Sequence, residues 1–416
     1  MRRVVITGTG AVTPIGESSN EFWEGLISGK NGIDLIHSFD TEGHPVHFAG
    51  EMSAFEPCKF MDPKTAKNND RYVQMAIASS KQALDENIKN IKENEPDSDF
   101  RRFGVVWGSG VGGLNSLFSQ HNVMQKKGPK RVSPYLIPMM ISNLGAGIIS
   151  IQYGLKGPNF NITSACASGL HAMGESYKLI KSGYADKMVT GASESAITPL
   201  AVAGFAACKA LSRNNDNYKT ACKPFDKNRD GFVIAEGGAA FLMETFESAR
   251  KRDAEIFAEV IGYGANGDAF HITAPSENGE GAMECMKLAL ADAQIEPENV
   301  DYLNAHGTST EINDRNETVA IKRVFGEHAY KLAISATKSQ IGHTLGASGP
   351  LGALATIYCL RNNLSHPTIN FSTKDPDCDL NYTFNEAQEH KLNIGLINSF
   401  GFGGHNACLI LKKVDV

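Results

Sequence analysis

The chain has no excess of basic residues: 40 Lys and Arg against 46 Asp and Glu leave a net charge of −6 over 416 residues. That balance removes any global electrostatic case for nucleic acid or an anionic membrane surface. No CxxC pair occurs among its eight cysteines, at 58, 166, 208, 222, 285, 359, 378 and 408. None sits within finger spacing of a histidine pair, so a structural metal and a disulfide scaffold both fall away. No apolar leader precedes the first β-branched run, Arg2–Gly8. A reduced cysteine complement without a leader predicts a cytoplasmic chain, or an organelle stroma or matrix if a transit segment was removed. Charge is missing from Val132–Leu155, Gly157–Gly174 and Ile341–Leu360. Their Gly, Ser, Asn and His content, with Pro134 and Pro138, argues against membrane spans and for buried helices wedged between layers.

Glycine is plentiful: 41 of 416 residues, against a norm of ~7%. Short β-branched runs alternate with helical patterns. Val4–Thr7, Phe103–Trp107, Phe160–Thr163, Lys187–Thr190 and Ala239–Met243 are expected strands, and Asp70–Asn87 and Cys166–Ser182 expected helices. A second series begins at Ala258–Gly262 and continues through a helix at Gly279–Ala293 and strands at Val300–Asn304 and Leu332–Ala336. It ends with a helix at Gly346–Leu360 and strands at Ile394–Asn398 and Ala407–Lys412. Alternation of this kind predicts an α/β fold with largely parallel sheets, duplicated as residues 1–255 and 256–416.

Two motifs fail on inspection. Gly8-Thr9-Gly10-Ala11-Val12-Thr13 begins like a dinucleotide fingerprint but lacks the third glycine, and is expected to be a tight strand-to-loop turn. Asp226-Lys227-Asn228-Arg229-Asp230-Gly231 opens like a calcium loop, yet Gly237 stands where the bidentate glutamate belongs.

Four segments carry chemistry. In Phe160-Asn161-Ile162-Thr163-Ser164-Ala165-Cys166-Ala167-Ser168-Gly169-Leu170-His171-Ala172 a strand ends, the chain turns among small residues, and a helix starts beside Cys166. Helix N-terminal N–H groups favour a thiolate, so the thiol is expected to be activated there. His306, in Asn304-Ala305-His306-Gly307-Thr308-Ser309-Thr310, follows a strand at the end where α/β proteins place chemistry. Lys338 and His343 lie in Lys338-Ser339-Gln340-Ile341-Gly342-His343-Thr344-Leu345-Gly346-Ala347-Ser348-Gly349, beside a nearly chargeless helix where an unpaired lysine is costly. The last is Asn398-Ser399-Phe400-Gly401-Phe402-Gly403-Gly404-His405-Asn406, whose glycines allow backbone N–H groups to face a ligand. Read alone, that segment is equally a hairpin turn.

Taken together, and with Pro224-Phe225-Asp226 and Arg229-Asp230-Gly231-Phe232-Val233, these residues resemble the β-ketoacyl-[acyl-carrier-protein] synthases of the thiolase superfamily, leaning toward the type II members. The resemblance spans essentially the whole chain. It implies a duplicated thiolase fold of five layers, αβαβα, with two mixed sheets, assembled as a homodimer. It implies decarboxylative condensation of malonyl-ACP with an acyl chain taken from acyl-ACP and held as a thioester on Cys166. No cofactor is implied, because phosphopantetheine arrives on the carrier, and no metal. His306 and His343 would promote decarboxylation, and Lys338 would hold the electrostatics and orient His343. The N–H groups of Cys166 and Phe402 would form the oxyanion hole, with Phe402 also a gate. Thr308, Thr310 and Thr273 would contact the pantetheine arm or malonyl group. Val111 and Phe205 would line the acyl tunnel, and Leu136 would reach it across the dimer. Lys130, Arg131, Lys209 and Lys67 would dock the acidic carrier.

Two departures stand out. Type II members usually carry a glutamate nine residues after the second histidine, where this chain has Gly352, which leaves the partner of Lys338 open. Asn68-Asn69 replaces an often basic edge of the dock. The alternatives are a polyketide-type or specialised-lipid ketosynthase with the same mechanism, and a non-catalytic chain-length partner subunit, against which the retained Cys166, His306 and His343 argue. A degradative thiolase would need a second catalytic cysteine.

Overall fold

The computed structural model describes residues 2–414. The strands of its main sheet are β1 (Val4–Val12), β2 (Phe103–Gly108), β3 (Asn159–Ile162), β4 (Lys187–Glu194), β5 (Gly237–Thr245), β6 (Ala258–Gly267), β7 (Tyr302–Asn304), β8 (Ala333–Ser335), β9 (Ile394–Gly401) and β10 (His405–Lys412). The first five lie in the order β1-β5-β4-β2-β3: two antiparallel pairings, then two parallel ones. The last five lie as β6-β10-β9-β7-β8 with the same succession of pairings. The topology therefore repeats strand for strand. The halves are joined where Val4–Ile6 pair antiparallel with Ala258–Val260, so the two mixed sheets share one continuous hydrogen-bonded ladder of ten strands. We propose that the boundary falls at 255/256, just before the repeat begins.

The helices that matter are α1 (Arg71–Asn94), α2 (Leu144–Tyr153), α3 (Ser168–Lys181), α4 (Glu280–Ala293), α5 (Glu311–Phe325) and α6 (Ser348–Asn362). Apolar residues at Val73, Ile77, Leu84, Ile88 and Ile91 give α1 one buried face. Its N-cap Asp70 accepts the Tyr72 N–H and, with its other oxygen, the Ser116 N–H. Helix α1 covers β1 and β5, α4 covers β6 and β10, and α3 and α6 pack between the halves, each touching strands of both. That central pair crosses closely. A Cβ on Gly169 would lie 2.4 Å from a Pro350 ring carbon, and one on Gly349 2.9 Å from the Leu170 Cβ.

Three expectations need correcting. The sheet is not largely parallel: five of its nine pairings are antiparallel, because each half adds two antiparallel strands beside its parallel ones. The Gly8–Thr13 segment is not a turn: β1 runs on through it to Val12. Its glycines let α1 approach, since a Cβ on Gly10 would meet the Ser79 carbonyl oxygen at 2.0 Å and one on Gly8 the Ala83 oxygen at 2.3 Å. Of the three chargeless segments, the parts that form α3 and α6 are buried between layers, but Val132–Leu155 and the β3 strand at the start of Gly157–Gly174 are not. Val132–Leu155 exposes Tyr135, Ile137, Ile141 and Ile151, because it lies beyond the sheet edge at β3.

Candidate active site

Cys166 sits at an elbow between β3 and α3. Ala165, just before it, has φ 50°, a left-handed backbone that a non-glycine residue adopts only where surroundings enforce it. The Ser168 hydroxyl accommodates the bend by donating to the Ala165 carbonyl (2.6 Å) and accepting the Ser164 N–H (2.8 Å). His306 follows β7, and His343 precedes α6 on the other central helix. Phe402 occupies the tight turn between β9 and β10, whose register closes with Gly401 opposite His405. The segment is thus a hairpin turn and a wall of the site at once.

These elements enclose a cavity of about 520 Å³. Cys166, His306, His343, Phe402, Thr308, Thr310, Thr273, Val111, Phe205 and Lys209 all line it. Lys338 lies behind that lining. Leu136, Lys130, Arg131 and Lys67 are outside it; Leu136 is half-buried on its own surface and the three cations are exposed.

The His306 and His343 rings stand 5.5 Å apart, nearly perpendicular at 83°. Their anchoring differs. His343 has Nδ1 2.8 Å from the Ser348 hydroxyl, which also bonds the Thr344 hydroxyl, leaving Nε2 for the cavity. His306 is held through its backbone: Glu317 on α5 accepts the N–H groups of His306 and Gly307 at 2.8 Å each and an Asn398 amide N–H at 3.0 Å. Lys338 Nζ donates to the His306 carbonyl oxygen. The lysine therefore acts on the loop of His306, whereas the His343 ring is oriented by Ser348.

Burial, with the Lys338 charge adding to it, holds both imidazoles well below the usual histidine range. Burial also lowers Lys338 to about 8, against the opposing pull of Glu317, then Cys166. Glu317 thus supplies the largest negative charge acting on Lys338, although its own hydrogen bonds go to His306, Gly307 and Asn398. Gly352 has no room to do so, since even a Cβ there would come within 2.6 Å of the Asn304 Oδ1.

The expected thiolate is corrected. Burial pushes the Cys166 thiol up to about 11, outweighing Lys338 and the N–H groups of Phe402 and Cys166 directed at the sulfur. The resting site is a neutral thiol beside two neutral imidazoles.

Sequence reading missed Glu194, at the end of β4. Its carboxylate accepts N–H groups from Gly110 (2.6 Å), Gly346 (3.1 Å) and Val111 (3.2 Å) and the Ser109 hydroxyl (3.0 Å). It ties the loop of the cavity-lining Val111 to the loop after His343, and burial raises it to about 7. Glu317, Ser348 and Glu194 gave no local signal, since each acts through groups distant in the chain or through a helix face that pattern alone does not reveal. The Asp226–Gly231 segment serves the fold: Asp226 accepts the Ser372 and Thr373 N–H groups, and Arg229 pairs with Asp375.

A duplicated αβαβα fold with a cysteine at a helix N-terminus and two histidines in one cavity defines a thiolase-like condensing enzyme. Residues 1–249 match the family model "Beta-ketoacyl synthase, N-terminal domain" and 257–372 match "Beta-ketoacyl synthase, C-terminal domain". The chain belongs to the β-ketoacyl synthase family and is an acyl-transferring condensing enzyme. It is similar to 3-oxoacyl-[acyl-carrier-protein] synthase 2 of Staphylococcus aureus (strain COL), 47% identical over 100% of this chain and 99% of that one. The protein of the same name from Synechocystis sp. is 46% identical over 99% and 98% of the two chains. A solved ketosynthase, described as bound to a hexaketide and complexed with its type II PKS acyl-carrier protein, superposes with a TM-score of 0.89. It is 33% identical over the full length of both chains. Among the described residues no helix is long and apolar enough to cross a membrane.

Proposed function

We propose that this chain is a β-ketoacyl-[acyl-carrier-protein] synthase elongating fatty acyl chains by decarboxylative condensation with malonyl-ACP. The observation that carries the reading is the single cavity onto which Cys166, His306, His343 and the Phe402 turn all open. Cys166 attacks the thioester of acyl-ACP. Its proton passes to one of the neutral imidazoles as sulfur bonds to the acyl carbon, and the pantetheine thiol leaves with a proton. The Cys166 and Phe402 N–H groups stabilise the tetrahedral oxyanion.

Malonyl-ACP then enters. Loss of CO2 leaves an enolate whose thioester oxygen takes hydrogen bonds from imidazole N–H groups of His306 and His343. A neutral imidazole keeps one such donor, and burial keeps both rings neutral. The enolate carbon attacks the acyl-Cys166 carbonyl, the carbon–sulfur bond breaks, and the sulfur leaves as a thiolate that takes a proton from water to restore the neutral thiol. Lys338 positions the His306 loop and offsets charge on sulfur. Thr308 and Thr310, whose hydroxyls bond each other at 2.8 Å, and Thr273 at the exposed rim line the path of the pantetheine arm. Val111 and Phe205 wall the acyl tunnel.

Lys209 at the cavity mouth, with Lys130, Arg131 and Lys67, would receive the acidic carrier. An exposed apolar face around β3 supports a homodimer in which Leu136 completes the tunnel of a second copy. Eight free cysteines support a reducing, cytoplasmic setting.

Intact mass after incubation with acyl-ACP tests the nucleophile. Wild type gains the acyl mass, and Cys166→Ala gains none while retaining malonyl decarboxylation. His306→Ala and His343→Ala acylate but lose decarboxylation by about 10² or more. An acyl adduct on Cys166→Ala would overturn the assignment. Gly352 and the Lys338–Thr344 segment lean toward polyketide-type enzymes, so primers of graded length decide the subtype: failure to extend any saturated acyl chain would favour that reading.

A further inference from the structure

A third histidine, His171, stands behind the nucleophile on α3, outside the cavity lining. Its Nε2 lies 3.2 Å from the Asn406 carbonyl oxygen, which can only accept, so the ring proton is on Nε2. In the neutral ring Nδ1 is then an acceptor, and the Ser164 hydroxyl 2.6 Å away donates to it. Burial keeps the ring neutral by lowering its pKa.

These two bonds link the chain just before Cys166 to the chain just after the Phe402 turn, the segments that carry the two oxyanion-hole N–H groups. The turn carries Gly403 at φ 85° and Gly404 at φ 73°, and its backbone bonds run from the Gly403 N–H to the Ile272 carbonyl (2.8 Å) and from the Gly404 N–H to the Gly401 carbonyl (3.1 Å), neither of them reaching the Cys166 segment. On its leading side, Ser399 Oγ donates to the Cys166 carbonyl at 2.8 Å. On its trailing side, the Asn406 side chain bonds outward to Asp268 and Asn266, and the Gly404 carbonyl accepts the Asp268 N–H. His171 supplies the inward bond on that side. We propose that His171 is a positioning residue that fixes the Phe402 N–H relative to the Cys166 N–H, and so serves the acyl-transfer step and not decarboxylation. This rests on the function proposed above.

The two half-reactions separate this role from a structural one. Acylation of Cys166 by acyl-ACP is followed by intact mass, and release of CO2 from malonyl-ACP is followed independently. In His171→Leu, acylation should slow about 10-fold or more, since small misplacement of a catalytic donor has effects of that order. Decarboxylation should stay within about 2-fold, because the donors for that step are the imidazoles. His171→Gln can place an amide N–H near the position of Nε2 and should recover part of the acylation rate. His171→Asn can match only Nδ1 and should behave like His171→Leu. Unchanged acylation in His171→Leu, equal losses in both half-reactions, or Asn rescuing as well as Gln would overturn the proposal. A wild-type chain that gains no acyl mass on Cys166 would instead overturn the function itself, and this inference with it.

Discussion

At Cys166 two physical effects oppose each other, and their relative size decides the chemistry. The helix N-terminus, the Lys338 charge and two N–H groups favour a thiolate, while burial disfavours it; burial wins, and the thiol rises to about 11. A neutral thiol reacts slowly with alkylating agents, because the thiolate is the nucleophile. Alkylation of Cys166 by iodoacetamide, followed by peptide mass, should therefore be slow near pH 7. It should keep climbing as pH rises past 9, toward that value. A rate that levels off below pH 7 would mean that the thiolate is already formed at rest. Cys58 and Cys208 are exposed, so the measurement must be site-resolved. The position of this thiol was legible in the sequence, because the strand, small-residue turn and helix are contiguous. Its protonation state was not, since burial is set by elements hundreds of residues away.

Among the elements, the contact between α1 and β1 shows how a glycine pattern misleads when read locally. Gly8 and Gly10 resemble half a nucleotide-binding loop, but their work is to let a helix backbone lie against a strand. Gly10→Ala would push a methyl group to 2.0 Å from the Ser79 carbonyl oxygen. It should cost about 1–3 kcal/mol through overpacking, read as a lower urea midpoint, while cavity residues and kcat stay close to wild type. An unchanged midpoint would mean that α1 shifts freely. The same limit applies to Lys338. Sequence could note that the usual glutamate is missing at Gly352, but not that Glu317, on α5, acts on the lysine through its charge while clamping the His306 loop. The strands and central helices were legible because their hydrophobic periods are local. The side chains that brace the site were not, because each bridges two elements.

For the whole molecule, the duplicated topology poses an asymmetry. Strands β3 and β8 occupy equivalent edges of the two halves, yet only one is covered. The β8 edge is masked by the chain itself, where Ile334 bridges to Tyr382, and all of β8 is buried. The β3 edge is bare: Phe160 is 41% exposed, and beside it Ile151 on α2 is 76% and Ile137 60% exposed. An open strand edge flanked by apolar side chains is an aggregation hazard unless a partner covers it. The homodimer proposed above would place a second copy there, would account for the chargeless yet exposed Val132–Leu155 segment, and would carry Leu136 toward the tunnel of its neighbour. Wild type should sediment at twice 44.8 kDa. Phe160→Asp combined with Ile151→Lys should sediment as the monomer with its circular dichroism unchanged, since both side chains are exposed in the single chain. That monomer should acylate Cys166 poorly with long-chain primers while retaining malonyl decarboxylation, because the histidines proposed to drive that step belong to one chain and the tunnel would not. A double variant that stays dimeric, or a monomer that accepts long primers as well as wild type, would place both the interface and the tunnel wall elsewhere.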